Sequence, residues 1–235
     1  MKIILLGYGR MGKAIEAIAK ERGHSVLQAI DENAHQYDIS EADVCIDFSI
    51  PTAAVDNLKH CFDSQVPVVC GTTGWLDQME KVQKYCEERN GGFIYASNFS
   101  LGVNLFFELN AKLAKLMSPF EAYDVKMEEI HHTKKLDAPS GTAITLAQGV
   151  LKNHSRYKQW KLEEEASSQD LAVTAKRLPD VPGTHSVTYF SEIDEIEIKH
   201  TAHSRKGFAL GAVLAAEWLA GKQGIFTMKD VLGLT

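Results

Sequence analysis

Lys2-Ile3-Ile4-Leu5-Leu6-Gly7-Tyr8-Gly9-Arg10-Met11-Gly12 follows the initial methionine, and its reading decides the fold. Ile3 to Leu6 is a short apolar run, long enough for a buried strand and too short for a helix, and Gly7-x-Gly9-x-x-Gly12 turns it sharply. Ile15, Ile18 and Ala19 then recur at helical spacing until Gly23 stops the run. In such a strand, turn and helix, the first glycine permits the tight turn and the second lets backbone amides approach a pyrophosphate. The third lets helix and strand pack closely. The helix amino terminus adds partial positive charge for phosphates. Asp31, 19 residues past Gly12 at the end of a second strand from Ser25, sits where an acidic side chain accepts hydrogen bonds from a ribose. The expected ligand is a dinucleotide held by Gly7, Gly9, Arg10, Met11, Gly12 and Asp31.

Further along, Asp43 to Ser49 reads as a strand, Thr52 to Ser64 as a helix and Pro67 to Cys70 as a strand. Trp75 to Arg89 is another helix and Phe93 to Ala96 another strand. This alternation with short connections predicts α/β architecture, a Rossmann-like doubly wound parallel sheet covered on both faces. Ligands of such sheets gather at the carboxyl ends of the strands. Three of those ends read Phe48-Ser49, Gly71-Thr72-Thr73-Gly74 and Ala96-Ser97-Asn98-Phe99-Ser100. Singly each is a turn of small polar residues. Together they line one edge, and they add Phe48, Gly71, Thr72, Thr73, Ser97, Asn98 and Phe99 to the expected cofactor set.

From Leu101 to Met117 a long helix leaves this domain, and the texture changes to alternating segments at Tyr123 to Met127, His185 to Phe190 and Glu195 to Thr201. A second, α+β domain with a mixed or antiparallel sheet follows, carrying a helix from Pro139 to about Asn153. Lys158 to Asp170, with Glu163-Glu164-Glu165, reads as a solvated or mobile connection. Phe208 to Ala220 is apolar almost all round except Glu217, as a buried helix returning to the first domain would be. The expected domains are 1–101 with 208–235, and 102–207.

At 235 residues, one large domain or two modest ones are expected. With 25 basic against 31 acidic side chains and net charge −6, nucleic acid and anionic membrane are not the expected partners. Residues 1–101 hold 9 basic and 14 acidic groups and residues 102–235 hold 16 and 17, so a basic cluster for an anionic substrate belongs in the second half. Cys45, Cys61, Cys70 and Cys86 fit neither a redox pair nor a zinc-ligand pattern, and they read as reduced, buried cytoplasmic thiols. No apolar run approaches a signal or membrane segment, which points to a soluble cytoplasmic protein.

The chemistry concentrates in Glu128-Glu129-Ile130-His131-His132-Thr133-Lys134-Lys135-Leu136-Asp137-Ala138-Pro139-Ser140-Gly141-Thr142-Ala143. Paired histidines suit proton transfer near neutral pH. Two lysines repel a cation and no ligand-spaced third partner is evident, so metal is disfavoured. Pro139 fits the first turn of a helix, in which case Ser140, Gly141 and Thr142 present amides and hydroxyls to a carboxylate. The alternative is a helix start that merely follows a charged loop.

This stretch resembles the signature E-x-H-H-x-x-K-x-D-A-P-S-G-T-A of the 4-hydroxy-tetrahydrodipicolinate reductases, also called dihydrodipicolinate reductases. The resemblance extends to Gly9-Arg10-Met11-Gly12, Asp47-Phe48-Ser49, Gly71-Thr72-Thr73-Gly74, Asn98-Phe99-Ser100-x-Gly102-Val103-Asn104, Gly183-Thr184-His185 and Ser204-Arg205, in order along the whole chain. Family members often show G-x-x-G-R-M-G where this turn is one residue shorter. The resemblance implies a reductase of the lysine pathway whose first domain holds NADH or NADPH and whose second binds the substrate and builds a homotetramer. It implies His131 as general acid, Lys135 as its cationic partner, and His132, Ser140, Gly141 and Thr142 as ligands of the dicarboxylate. Because Asp31 is negative and Glu32 and Asn33 supply no arginine, NADH is expected to serve at least as well as NADPH. A semialdehyde or homoserine dehydrogenase, the former with Cys70 as nucleophile, is the competing enzyme. A dinucleotide sensor without turnover is the competitor of another class.

Overall fold

A computed structural model describes residues 1–31, 37–204 and 206–234. In chain order the first elements are β1 (Lys2–Leu6), α1 (Arg10–Glu21), β2 (Ser25–Ile30), β3 (Val44–Asp47), α2 (Pro51–Asp63), β4 (Val68–Cys70), α3 (Met79–Glu88) and β5 (Gly92–Tyr95). Then come α4 (Leu101–Met117), β6 (Asp124–His131), α5 (Gly141–Asn153), β7 (Trp160–Leu162), β8 (Leu171–Arg177), β9 (Thr184–Phe190) and β10 (Glu195–Thr201). The chain closes with α6 (Lys206–Leu219), β11 (Gly224–Phe226) and α7 (Met228–Val231). It divides into two units, Met1–Leu101 with Lys206–Thr235, and Gly102–Arg205.

The first unit is a six-stranded sheet in the order β11-β5-β4-β3-β1-β2, every pair parallel. Both faces must be covered, because β1, β3 and β4 are buried almost throughout. On one face α2 and α3 pack Leu58, Phe62, Val82 and Cys86 against Ile4, Leu6 and Cys45. On the other, α1 and α6 pack Ile15, Ala19, Ala212 and Ala216 against Ile3, Leu5 and Ile46. Glu217, the one acidic residue in the apolar α6, is tied to Arg22 (2.7 Å) and His24 (2.7 Å).

Several boundaries differ from the sequence expectation. The helix expected from Trp75 starts at Met79, after a 3-10 turn at Leu76–Gln78. Trp75 is instead fully buried, its indole N–H donating to the Thr72 carbonyl at 2.7 Å. Strand β11 and helix α7 end the chain where no element was expected, and β11 adds a parallel edge beside β5.

The second unit is a five-stranded mixed sheet, β10-β9-β6-β8-β7. Here β6 is parallel to β8 and antiparallel to β9. Strand β8 was not legible, and the expected connection at Lys158 to Asp170 contains β7, because Trp160–Leu162 pairs with Leu171–Val173. Helices α4 and α5 close the core, with Phe106, Ala114, Leu146 and Val150 against Val125, Val173 and Tyr189.

Candidate functional site

In the first unit the turn from β1 to α1 needs its three glycines for different reasons. Gly7 has φ of +93°, and a Cβ there would lie 2.3 Å from the Phe48 carbonyl oxygen. A Cβ on Gly12 would lie 2.3 Å from the Gly7 carbonyl, so this residue lets α1 close on the turn. On Gly9 a Cβ would meet nothing within 4 Å, and no side chain caps α1. Open space in front of an uncapped helix amino terminus fits the pyrophosphate of a dinucleotide. Arg10 is exposed, Met11 packs against the core, and Asp31 accepts a 2.6 Å hydrogen bond from the Tyr8 amide. Glu32, Asn33 and Arg205 lie outside the described residues.

Two of the strand-end turns are joined by a group that the sequence reading named only as part of a matching motif. Asp47, wholly buried at the end of β3, accepts hydrogen bonds from the Thr72 hydroxyl, from Asn57 at 2.9 Å and from the Ser49 amide at 3.2 Å. Burial pushes its carboxyl up, against the pull of those bonds. Thr72 is therefore a brace between the turns, while Thr73 and Ser97 are exposed. Gly71 makes room for the Phe48 ring, which a Cβ would meet at 2.3 Å. Asn98 accepts from the Ser100 amide at 2.9 Å. Phe99, expected at the cofactor, is 1% exposed and its ring belongs to the core, 5.7 Å from that of Phe48. Its place in the cofactor set is left to its backbone.

In the second unit the two-residue period of β6 turns Val125, Met127, Glu129 and His131 inward. The first two join the core and the last two carry polar groups at its end. Sheet register then assembles the rest, since Glu129 stands opposite His185 on β9 and His131 opposite Arg177 on β8. The Glu129 carboxylate is fully buried, 3.2 Å from His131 Nδ1, 3.7 Å from His185 Nε2 and 3.1 Å from Arg177 Nη2. The Ser140 amide donates to both its oxygens at 3.1 Å. Burial alone would raise this carboxyl, but His131, His185 and Ser140 outweigh it and hold it far below the usual carboxylate range. Burial pushes His185 down, against the pull of Glu129.

The start of α5 departs from expectation. Ser140 is the N-cap, its hydroxyl accepting from the Ala143 amide at 3.2 Å, so Pro139 stands before the helix and not in its first turn. Ser140 is buried, and its hydroxyl also lies 3.1 Å from His185 Nε2. Both its amide and its hydroxyl are thus engaged inside the protein, and Gly141 and Thr142 form the outward helix terminus. Gly141 has open space where a Cβ would stand. Lys135 is half-buried and reaches Asp137 at 2.9 Å, and His132 is half-buried.

The family described as "Dihydrodipicolinate reductase, N-terminus" matches residues 1–99, and "Dihydrodipicolinate reductase, C-terminus" matches residues 102–232. This chain belongs to the dihydrodipicolinate reductase family. A 4-hydroxy-tetrahydrodipicolinate reductase of Christiangramia forsetii is 58% identical over 234 residues, 99% of this chain and 98% of that protein. One from Neisseria gonorrhoeae is 35% identical over 203 residues, 83% of this chain and 74% of that one. The fold is similar to that of a dipicolinate-bound dihydrodipicolinate reductase from Paenisporosarcina sp. TG-14, at TM-score 0.77 and 23% identity over 97% of each chain. The family is one of reductases, so the chain is an oxidoreductase.

Two sequence readings look different at this reductase site. The third ligand-type partner that spacing did not reveal exists, because Glu129, His131 and His185 bring such atoms within 4.8 Å of one another. Arg177 pairs with that carboxylate and the Ser140 amide donates to both its oxygens, so the cluster is a charge-paired network. Cys70, the nucleophile of the competing semialdehyde dehydrogenase reading, is fully buried, and burial pushes its thiol well up. A thiol so placed is not a nucleophile at neutral pH.

Three histidines also set the acid limit of stability. His154, His185 and His200 are all held down chiefly by burial, so below about pH 6.5, their unfolded value, the unfolded chain takes up protons that the folded chain refuses. Stability then falls as pH falls, and Glu129, depressed in the folded state, extends the loss below about pH 4.3. The thermal midpoint should drop between pH 7 and 5.5, and His154→Gln should flatten that slope. An unchanged midpoint across this window would contradict it.

Proposed function

We propose that this chain reduces 4-hydroxy-tetrahydrodipicolinate to tetrahydrodipicolinate with NADH or NADPH, in lysine and diaminopimelate biosynthesis. The observation that carries the reading is the 58% identity over 99% of the chain to a protein of that activity. The first unit is the dinucleotide-binding domain and the second binds the substrate. Gly7, Gly9, Arg10, Met11 and Gly12 cradle the pyrophosphate, Asp31 meets the adenosine ribose, and the turns at Phe48, Gly71 to Thr73 and Ser97 to Phe99 border the nicotinamide.

Loss of the 4-hydroxyl as water leaves a carbon-carbon double bond conjugated with the imine, and the reduced nicotinamide, when bound, would supply a hydride to that conjugated ring carbon. His131 gives a proton to the electron-rich system so formed, which completes the addition of one hydride and one proton. Lys135 leaves Asp137, an exposed partner, for a substrate carboxylate and neutralises it. His132 and the terminus of α5 at Gly141 and Thr142 hold the dicarboxylate, with Ser140 fixing that terminus from inside.

An assay following oxidation of the reduced cofactor, coupled to the synthase that makes the substrate, tests this. Turnover should appear with both cofactors, and kcat/KM with NADH should equal or exceed that with NADPH, because Asp31 repels a 2′-phosphate. Exposed Arg10 is a cation that could offset it. Strong NADPH preference would overturn the cofactor reading, and no turnover with either would overturn the function.

The same reading makes the enzyme a cytoplasmic homotetramer. Four free buried cysteines suit a reducing compartment. Among the described residues no helix is long and apolar enough to cross a membrane. In the second unit Ile193 (92% exposed) precedes the edge strand β10 and Ile196 (42%) lies in it, an apolar edge that partner subunits would cover. Light scattering at micromolar concentration should give four times the chain mass, and a monomer would refute the assembly.

A further inference from the structure

We infer that Glu129 is a positioning residue for the proton donor: it holds His131 through Nδ1, so that Nε2 is the ring nitrogen that carries and releases the proton. The inference rests on the reading of His131 as general acid. A signature glutamate at the end of a strand could be a simple strand-end charge, but here the carboxylate is fully buried in a network with no slack. Ser140 donates its amide to both oxygens, and Arg177 bonds Oε1 at 3.1 Å. Arg177 is itself anchored by the Asp137 carbonyl at 2.6 Å. The carboxylate therefore cannot turn away.

The imidazole is seated against it. His131 Nδ1 is buried, makes no aligned hydrogen bond, and lies 3.2 Å from Glu129 Oε2, so a small ring rotation closes the bond. The opposite nitrogen makes a close approach of its own. Nε2 faces Gly183, whose φ of +159° favours glycine and where even a Cβ would come within 3.1 Å. The His185 ring packs edge-on at 5.0 Å and hinders rotation. With Nδ1–H donated to Glu129, neutral His131 has its lone pair on Nε2, ready to be reprotonated.

Around this pair stand Arg177 on β8, His185 on β9, His200 on β10, and Lys135, His132 and Asp137 after β6. Glu129 is the carboxylate set against the ring, 3.2 Å from Nδ1, with these cations around it. Removing its charge while keeping its shape, in E129Q, should therefore lower kcat about 10²-fold. It should also move the basic limb of the kcat/KM profile to lower pH by about one unit or more, because the imidazolium loses its counter-charge. E129D, which keeps the charge, should leave that limb near its wild-type position even where the rate falls. A merely structural role would reduce stability and amount of active enzyme without moving the limb.

Nitrogen-15 NMR of the wild-type enzyme reads the same arrangement without any variant. Neutral His131 should be the Nδ1–H tautomer, and an Nε2–H tautomer would overturn the inference. So would a folded E129Q with an unmoved limb. If instead H131Q kept its turnover, the general-acid reading itself would fail, a result distinct from either.

Discussion

Replacing His131 with Gln should lower kcat about 10²- to 10⁴-fold while KM changes little. The reason is when the interaction is made. Protonated imidazole gives up its proton only as negative charge develops on the substrate, so it stabilises the transition state more than the bound substrate. Gln keeps a polar group of similar reach but has no proton to give at neutral pH. The position tolerates the change structurally better than a core site does, since His131 ends β6 and its main-chain carbonyl, which accepts from the Leu178 amide at 2.8 Å, is untouched. Cofactor binding should survive, because it is assigned to the other unit. Near-normal turnover of a folded H131Q would mean that the proton comes from elsewhere.

Lys135→Met should damage both parameters, raising KM and lowering kcat for a combined loss of about 10- to 150-fold in kcat/KM. The size follows from a charge-assisted hydrogen bond, which contributes about 1.5–3 kcal/mol. Lys135 is half-buried and paired with Asp137, whose side chain is 62% exposed. That partner is readily solvated, so a substrate carboxylate can take its place. Met keeps the length and apolar stem of the side chain and removes the ammonium alone. Steady-state kinetics showing an unchanged KM would remove Lys135 from the carboxylate site.

Much of this was legible in the residues themselves. The glycine turn, the alternating strands and the sharp change of texture after Leu101 are local signals, and the two units divide at Leu101 and Lys206, within two residues of the expected boundary. Strand β8 was missed because Leu171–Arg177 reads Leu-Ala-Val-Thr-Ala-Lys-Arg, with only Leu171 and Val173 buried and two alanines and two charges among the rest. The site was half legible. His131, Lys135 and the Ser-Gly-Thr helix start are neighbours in sequence, whereas Arg177 and His185 reach Glu129 only through strand register, 48 and 56 residues away. Ser140, expected at the dicarboxylate, turns inward, because its hydroxyl caps α5 and its amide serves Glu129.

The central claim is that one hydrogen arrives as hydride from the cofactor and the other as a proton through His131. The direct measurement is mass spectrometry of the product made with NADH deuterated on its transferring face, in ordinary water, and with ordinary NADH in heavy water. The account predicts one deuterium fixed at a ring carbon from the cofactor in the first case and one from solvent in the second, both slowed together in H131Q. Product without cofactor-derived deuterium, or H131Q turning over at the wild-type rate, would contradict it.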